Sequence, residues 1–248
     1  KNFTAGQNVR YVGEDVKKNS VIISRGKTLN YVDLGLIASV GIQKVKVIKK
    51  PTISFFSTGD ELVSVGKKLK IGQIYDSNRY LLHGLLSELP VKIKDLGVVR
   101  DDKKQLEKKF LSSGRNSNFI ITTGGVSVGD ADFVREVLEK VGKINFWKIS
   151  IKPGRPLAFG KIKNSYFFGL PGNPVSTVVT FQLFVIPAIE KMLNKIVKNS
   201  LYINAKVKCN ISKKKGRLEF QRAKLIKSKG TYFVQTTGLQ GSNILSSL

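Results

Sequence analysis

The stretch Asn118–Lys140, NFIITTGGVSVGDADFVREVLEK, joins an apolar run, a glycine-rich turn, two carboxylates and a helical pattern without a break. Phe119, Ile120 and Ile121 are apolar with no polar alternation, so Phe119–Thr122 reads as a buried parallel strand. Phe133, Val134, Val137, Leu138 and Val141 recur at helical spacing, which predicts a helix over Asp132–Val141. Between the two, Gly124, Gly125 and Gly129 let backbone amides approach a ligand, and the start of the following helix favours an anion. Asp130 and Asp132 oppose a bare phosphate, which calls for a metal ion between carboxylate and anion. Either aspartate taken singly also suits a helix N-cap.

The same rhythm extends outward. Strands are expected at Ile53–Ser57, Val91–Val99 and Ile144–Ile151, and helices at Tyr80–Leu89, Asp102–Leu111 and Pro174–Met192. Alternating strand and helix from Pro51 predicts a three-layer α/β domain with a mostly parallel sheet over residues 48–196. Residues 1–47 carry β-like pieces at Val9–Val12, Val21–Ile23 and Val45–Val47, with a helical spacing over Val32–Val40. After Lys198 the pattern alternates at Leu201–Val207, Leu218–Lys224 and Tyr232–Thr236, so residues 197–248 are expected to form a small antiparallel β domain.

Composition narrows the function classes. The 43 Lys and Arg against 17 Asp and Glu give a formal charge of +26. The lysines are dispersed, with no aromatic interleaving and no nucleic-acid motif, so a solvated surface is expected rather than specific nucleic-acid binding. Cys209 is alone, which excludes an intrachain disulfide and a cysteine zinc site and fits a reducing cytoplasm. The N-terminus lacks an apolar signal core, and Val175–Ile189 is interrupted by Ser176, Thr177, Thr180, Gln182 and Pro187, so no membrane span is expected. The start without Met and the apolar ending Ile244–Leu248 suggest a piece of a longer chain.

Loops leaving the carboxyl ends of parallel strands are where ligands bind. Three of them carry acids: Thr58-Gly59-Asp60-Glu61, Arg100-Asp101-Asp102, and the glycine loop ending at Asp132. Convergence on one edge would make a hard oxygen site suited to Mg²⁺ holding phosphate. Asp60 and Asp102 are also plausible turn or cap residues. A fourth loop, Gly169–Pro174, contains Pro171, Gly172, Asn173 and Pro174, which can preorganise amides at the start of the long helix. Lys148 and Lys152 are four apart and would share a face of one strand, while Arg155 in Pro153-Gly154-Arg155-Pro156 can fork toward an oxyanion. His83, the lone histidine, falls among leucines on a predicted helix and reads as structural, which leaves metal-assisted and electrostatic chemistry.

These segments, in this order, strongly resemble the molybdopterin molybdenumtransferases of the MoeA type, including the plant Cnx1 E domain and the gephyrin E domain. The carriers are GQNVRYVGED (Gly6–Asp15), STGDEL (Ser57–Leu62), GQIYDSNRY (Gly72–Tyr80), LGVVRDD (Leu96–Asp102), TTGGVSVGDAD (Thr122–Asp132), FWKISIKPGRP (Phe146–Pro156), FGLPGNPVS (Phe168–Ser176), EFQRAKL and GSNILSSL. The resemblance implies that molybdate and adenylylated molybdopterin give molybdenum cofactor and AMP with Mg²⁺. It implies acidic roles for Asp15, Glu61, Asp101 and Asp132, the metal resting on the last three, and basic or loop roles for Lys148, Lys152, Pro171 and Pro174. Molybdate contacts are implied at Pro153, Ser176, Arg222 and Ser242, while Thr58, Gly59, Asp60, Gly124, Gly125, Ser127, Arg155, Gly172 and Asn173 complete the expected substrate site. On this reading Lys148 and Lys152 neutralise charge as the AMP linkage breaks. A homodimer built through a longer N-terminal region and contact with the adenylyltransferase are implied partners. Rival readings are an adenylyltransferase of related core, or a non-catalytic scaffold.

Overall fold

The computed structural model describes residues 4–125, 133–195 and 202–248. Its elements are α1 (Tyr31–Ser39), β1 (Thr52–Thr58), β2 (Leu62–Val63), β3 (Ile74–Tyr75), α2 (Ser77–Ser87), β4 (Lys92–Val99), α3 (Lys103–Asn116), β5 (Phe119–Thr123) and α4 (Phe133–Val141). They continue with β6 (Lys143–Lys148), β7 (Ile151–Lys152), β8 (Pro156–Ile162), β9 (Ser165–Leu170), α5 (Pro174–Thr180), a π-turn at Phe181–Val185 and α6 (Ile186–Met192). The C-terminal part holds β10 (Lys206–Val207), β11 (Leu218–Glu219), β12 (Ala223–Ser228), β13 (Thr231–Thr236) and a 3₁₀ turn at Leu245–Ser247.

The central sheet has the order β4-β1-β5-β9-β8-β6. Its first four strands run parallel, while β8 is antiparallel to both neighbours. Side chains alternate between its faces, as the strand period of two requires. Ile53, Phe55, Phe119, Ile121, Phe168 and Leu170 pack against Leu82 and Leu86 of α2 and against Phe181, Val185 and Ile189 of the long C-terminal helix. Phe56, Ile120 and Phe167 face the other way, onto Leu106 and Phe110 of α3 and Val134, Val137 and Leu138 of α4. These side chains lie at or near zero exposure, the burial that dominates the stability of such a three-layer fold.

Helix starts are set by carboxylates. Asp76 Oδ1 accepts from Arg79 N at 3.1 Å and Asp102 Oδ1 accepts from Gln105 N at 2.7 Å, so α2 begins one turn earlier than its apolar pattern alone indicates. Asn30 and Asp33 form a reciprocal capping box on α1. His83 is exposed on α2, not packed among the leucines around it. The run Pro174–Met192, continuous through the π-turn, is long and apolar enough to cross a membrane, with mean hydropathy 1.3. Here it is the helix that covers the sheet.

Several expectations are corrected. Within residues 4–51 the described backbone forms no strand: Val9–Val12, Val21–Ile23 and Val45–Val47 lie in turns and coil. A strand needs a ladder partner, and Val9, Tyr11, Val12 and Val21 are instead exposed. The single strand expected over Ile144–Ile151 is divided, because Ile149 N turns back to donate to Arg155 O at 3.0 Å. Lys148 therefore ends β6 while Lys152 belongs to β7, and the shared-face argument for the pair does not hold.

The hairpin β8–β9, unmarked by the pattern reading, supplies two central strands. In the C-terminal unit β12 and β13 are antiparallel as expected, but β10 pairs with β13 in parallel. The predicted strand Leu218–Lys224 is also divided. Its first two residues leave that sheet and pair in parallel with β7 of the core.

Candidate functional site

Because β8 runs against its neighbours, the loop entering it and the loop leaving β9 emerge on the same edge as the carboxyl ends of β1, β4 and β5. Four functional loops thus share one edge: 58–61, 100–102, the glycine loop after Thr123, and 171–174, with 149–155 beside the last.

The acidic end lies between β1 and β4. Asp101 N donates to Asp60 Oδ1 at 3.3 Å, which ties the two loops together. Burial, and then the negative charges of Asp60 and Glu61, push the Asp101 carboxyl above its ordinary value. The Glu61 carboxylate folds over Gly59: a Cβ on Gly59 would lie 2.5 Å from Glu61 Oε2 and 2.7 Å from Oε1, and Gly59 has φ +144°. This crowding of carboxylates around Asp101 matches the donor set of a hard divalent cation, whose charge would relieve the repulsion. Among the described residues no three acidic, histidine or cysteine groups gather closely enough to hold a metal. Asp132, the expected third ligand, lies outside the described residues, as do Ser127 and Asp130. A cavity of about 840 Å³ opens beside this end, lined by Asp60, Asp101, Lys67, Lys68 and Arg100 among others.

The middle of the edge is a close-packed polar junction. Gly124 lies directly against the Thr58 carbonyl, and Gly125 against Val134 and Thr58 Oγ1, both in left-handed backbone. Any side chain there would collide. Thr123 Oγ1 donates to Ser57 Oγ at 3.1 Å, and Ser57 Oγ donates to Asp76 Oδ1 at 3.0 Å. Asn78 Nδ2 donates to Gly172 O at 2.6 Å, which fixes the 171–174 loop to the first turn of α2. Asp76 is almost fully buried, and that burial raises its pKa despite the bonds from Ser57 and Arg79. Among the described residues, Thr58 Oγ1, Asp76 Oδ2, Asn78 Oδ1 and Thr122 Oγ1 are buried without a hydrogen-bond partner. Asp76 and Asn78 lie within GQIYDSNRY but are not among the candidate residues that the sequence pattern singles out. The available signal was a polar Asp-Ser-Asn start on a helix that otherwise buries leucines.

The basic end is shared with the C-terminal unit. Lys152 pairs with Glu219 at 2.9 Å, and the hydrogen bond from Lys152 holds Glu219 below the ordinary glutamate value. Lys152-Pro153 is a cis peptide, and Gly154 at φ +107° packs against Thr180. Arg155 is exposed beside them. Asn173 makes no side-chain cap to α5. Its Nδ2 donates to Ser242 Oγ at 3.1 Å, and Val175 N donates to Ser242 O at 3.1 Å. Pro171 and Ser176 are buried, while Pro174 occupies the first turn of α5.

Arg222 and Asp15 occupy different surroundings, Arg222 bonding to the loop that leads into Ser242. Arg222 donates to Ser247 Oγ and to the carbonyls of Leu239, Gln240 and Gly241, so its fork holds the 239–241 loop. Asp15 is exposed in a turn of the N-terminal segment and has no hydrogen bond or ion pair among the described residues. The two ends of the site are also well separated. From β1 to β8 the sheet order contains three interstrand steps, about 14 Å at roughly 4.8 Å each.

Residues 54–191 match the family described as a probable molybdopterin binding domain, and residues 204–248 match the MoeA C-terminal region, domain IV. The chain belongs to the MoeA-type molybdopterin-binding family. It is 48% identical over 242 residues to the molybdopterin molybdenumtransferase of Haemophilus influenzae, covering 97% of this chain and 60% of that protein. It is 37% identical to Dictyostelium discoideum gephyrin, over 79% of this chain and 31% of that one. Among solved structures, a molybdopterin biosynthesis MoeA protein from Pyrococcus horikoshii superimposes with TM-score 0.77 at 33% identity, over 95% of this chain and 57% of that chain. The chain thus spans three-fifths or less of the length of these relatives. The family membership agrees with the α/β core and with the small β unit after it.

Proposed function

We propose that the protein acts as a molybdopterin molybdenumtransferase, taking molybdate and adenylylated molybdopterin to molybdenum cofactor and AMP. The observation that carries this reading is the division of one sheet edge into an acidic and a basic end about 14 Å apart. Such a span suits an elongated substrate with its phosphates at one end and an oxyanion acceptor at the other. Glu61, Asp101 and, by family resemblance, Asp132 would hold Mg²⁺, which supplies charge neutralisation at the phosphates. Gly124 and Gly125 give backbone access along the middle of the edge. Lys152 and Arg155 draw molybdate to the other end, beside Ser176 in the first turn of α5. Lys148, separated from Lys152 by the break at Ile149, contributes general positive charge rather than a second tooth of one clamp.

A homodimer covering the exposed apolar residues of the N-terminal segment, contact with the adenylyltransferase that would supply the substrate, and a cytoplasmic location belong to the same proposal. The seating of the C-terminal unit on the basic loops favours the transferase over an adenylyltransferase of core architecture alone. The test is release of AMP from adenylylated molybdopterin in the presence of molybdate and Mg²⁺. The Glu61→Ala, Asp101→Ala double variant should lose it, and an undiminished rate would refute the assignment.

A further inference from the structure

We infer that Glu219 is a positioning residue for Lys152, contributed by the C-terminal unit to hold the lysine ammonium at the oxyanion end of the site. This rests on the proposed role of Lys152 in receiving molybdate. The parallel pairing of β7 and β11 sets Leu218 opposite Ile151 and Glu219 opposite Lys152. It is framed by bonds from Leu218 N to Ser150 O at 3.1 Å and from Phe220 N to Lys152 O at 2.8 Å. Backbone and side chain therefore agree in fixing one residue against the other.

The two side chains differ sharply in exposure: 7% for Glu219 and 47% for Lys152. A carboxylate sheltered to this degree gains from a counter-charge, and Lys152 supplies it, with Gln221 Nε2 donating to the same oxygen at 3.5 Å. An ammonium has three donors, so one bond to Glu219 leaves two for a ligand approaching from the open side. Glu219 turns its charge toward the lysine and away from solvent, which limits its repulsion of an incoming anion. A free lysine would have to surrender its rotamer freedom on binding, whereas this one is already held. The same C-terminal unit touches the neighbouring loop through Ser242, so it braces both loops of the basic end.

The test is a double-mutant cycle read by calorimetric titration of molybdate alone, with amide exchange over 223–236 followed in each variant. Glu219→Ala should weaken molybdate binding about tenfold, and Glu219→Asp, which keeps the charge but shortens the reach, by about threefold, both losses vanishing in a Lys152→Ala background. Where Glu219→Ala speeds exchange in β12 and β13, the Glu219→Asp arm decides. Equal losses with and without Lys152 would make Glu219 a structural anchor and overturn the inference. Tighter binding in Glu219→Ala would make it a competitor of the anion and overturn it too. Lys152→Ala binding molybdate like the wild type would remove the premise, while AMP release from the acidic end would still stand or fall separately.

Discussion

The acidic and basic ends of the site are built by different means. The acidic end lies within the core sheet, where Asp60, Glu61 and Asp101 follow adjacent parallel strands and the link between Asp101 N and Asp60 closes the pair. The basic end needs a second unit: Lys152 is held by Glu219, and Asn173 and Val175 by Ser242. One end is therefore local and electrostatically strained, the other assembled from distant sequence and electrostatically satisfied. Strain marks where a cation is wanted, and satisfaction marks where position is being fixed.

The most severe way to break this division is at the acidic end. Asp101→Asn should lower AMP release by about 100- to 1,000-fold, the range for loss of one preorganised charge-stabilising group, while raising the melting temperature because a crowded charge is removed. Steady-state rates and calorimetry check the two signs together. Next is the junction between the ends. Gly124→Ala puts a methyl against the Thr58 carbonyl in left-handed backbone, and should destabilise by about 2–3 kcal/mol in urea titrations.

Asn78→Ala removes the donor to Gly172 O and should cost about 1–2 kcal/mol of stability. Its effect on activity should appear in KM for molybdate more than for the pterin substrate.

The smallest effect concerns pH. Asp101 has a raised native value, so its ionisation works against folding as pH rises from the unfolded value through the native one. Protons should accordingly displace Mg²⁺ at a higher pH than from an ordinary carboxylate. Glu219 is lowered: its contribution is present above the unfolded glutamate value and is lost only as pH falls through the native one. Mg²⁺ titrations and amide exchange at Leu218 and Phe220, both as functions of pH, should lose the acidic end before the basic one.

Much of the core was legible because parallel strands buried on both faces leave uninterrupted apolar runs. Ile53–Ser57 and Phe119–Thr122 each extend by only a residue at one or both ends in the structure. The carboxylate loops followed from strand polarity. What escaped was set by partners distant in sequence. Leu218–Glu219 alternates like the strand after it, and nothing local shows that it pairs with β7 instead. For Arg222 the resemblance alone implies an anion contact, and nothing local in the sequence shows that its guanidinium also holds the 239–241 carbonyls. The N-terminal β-like pieces have strand composition but, among the described residues, no neighbour to complete a ladder.

The reversal at Lys163 and Asn164, between β8 and β9, lies at the far edge of the sheet from every loop of the site, with Lys163 at φ 52° and both residues exposed. That makes it an attachment point. A fluorophore or surface tether placed there would leave the reactive edge facing solution, so that binding could be followed on an immobilised protein in its working orientation.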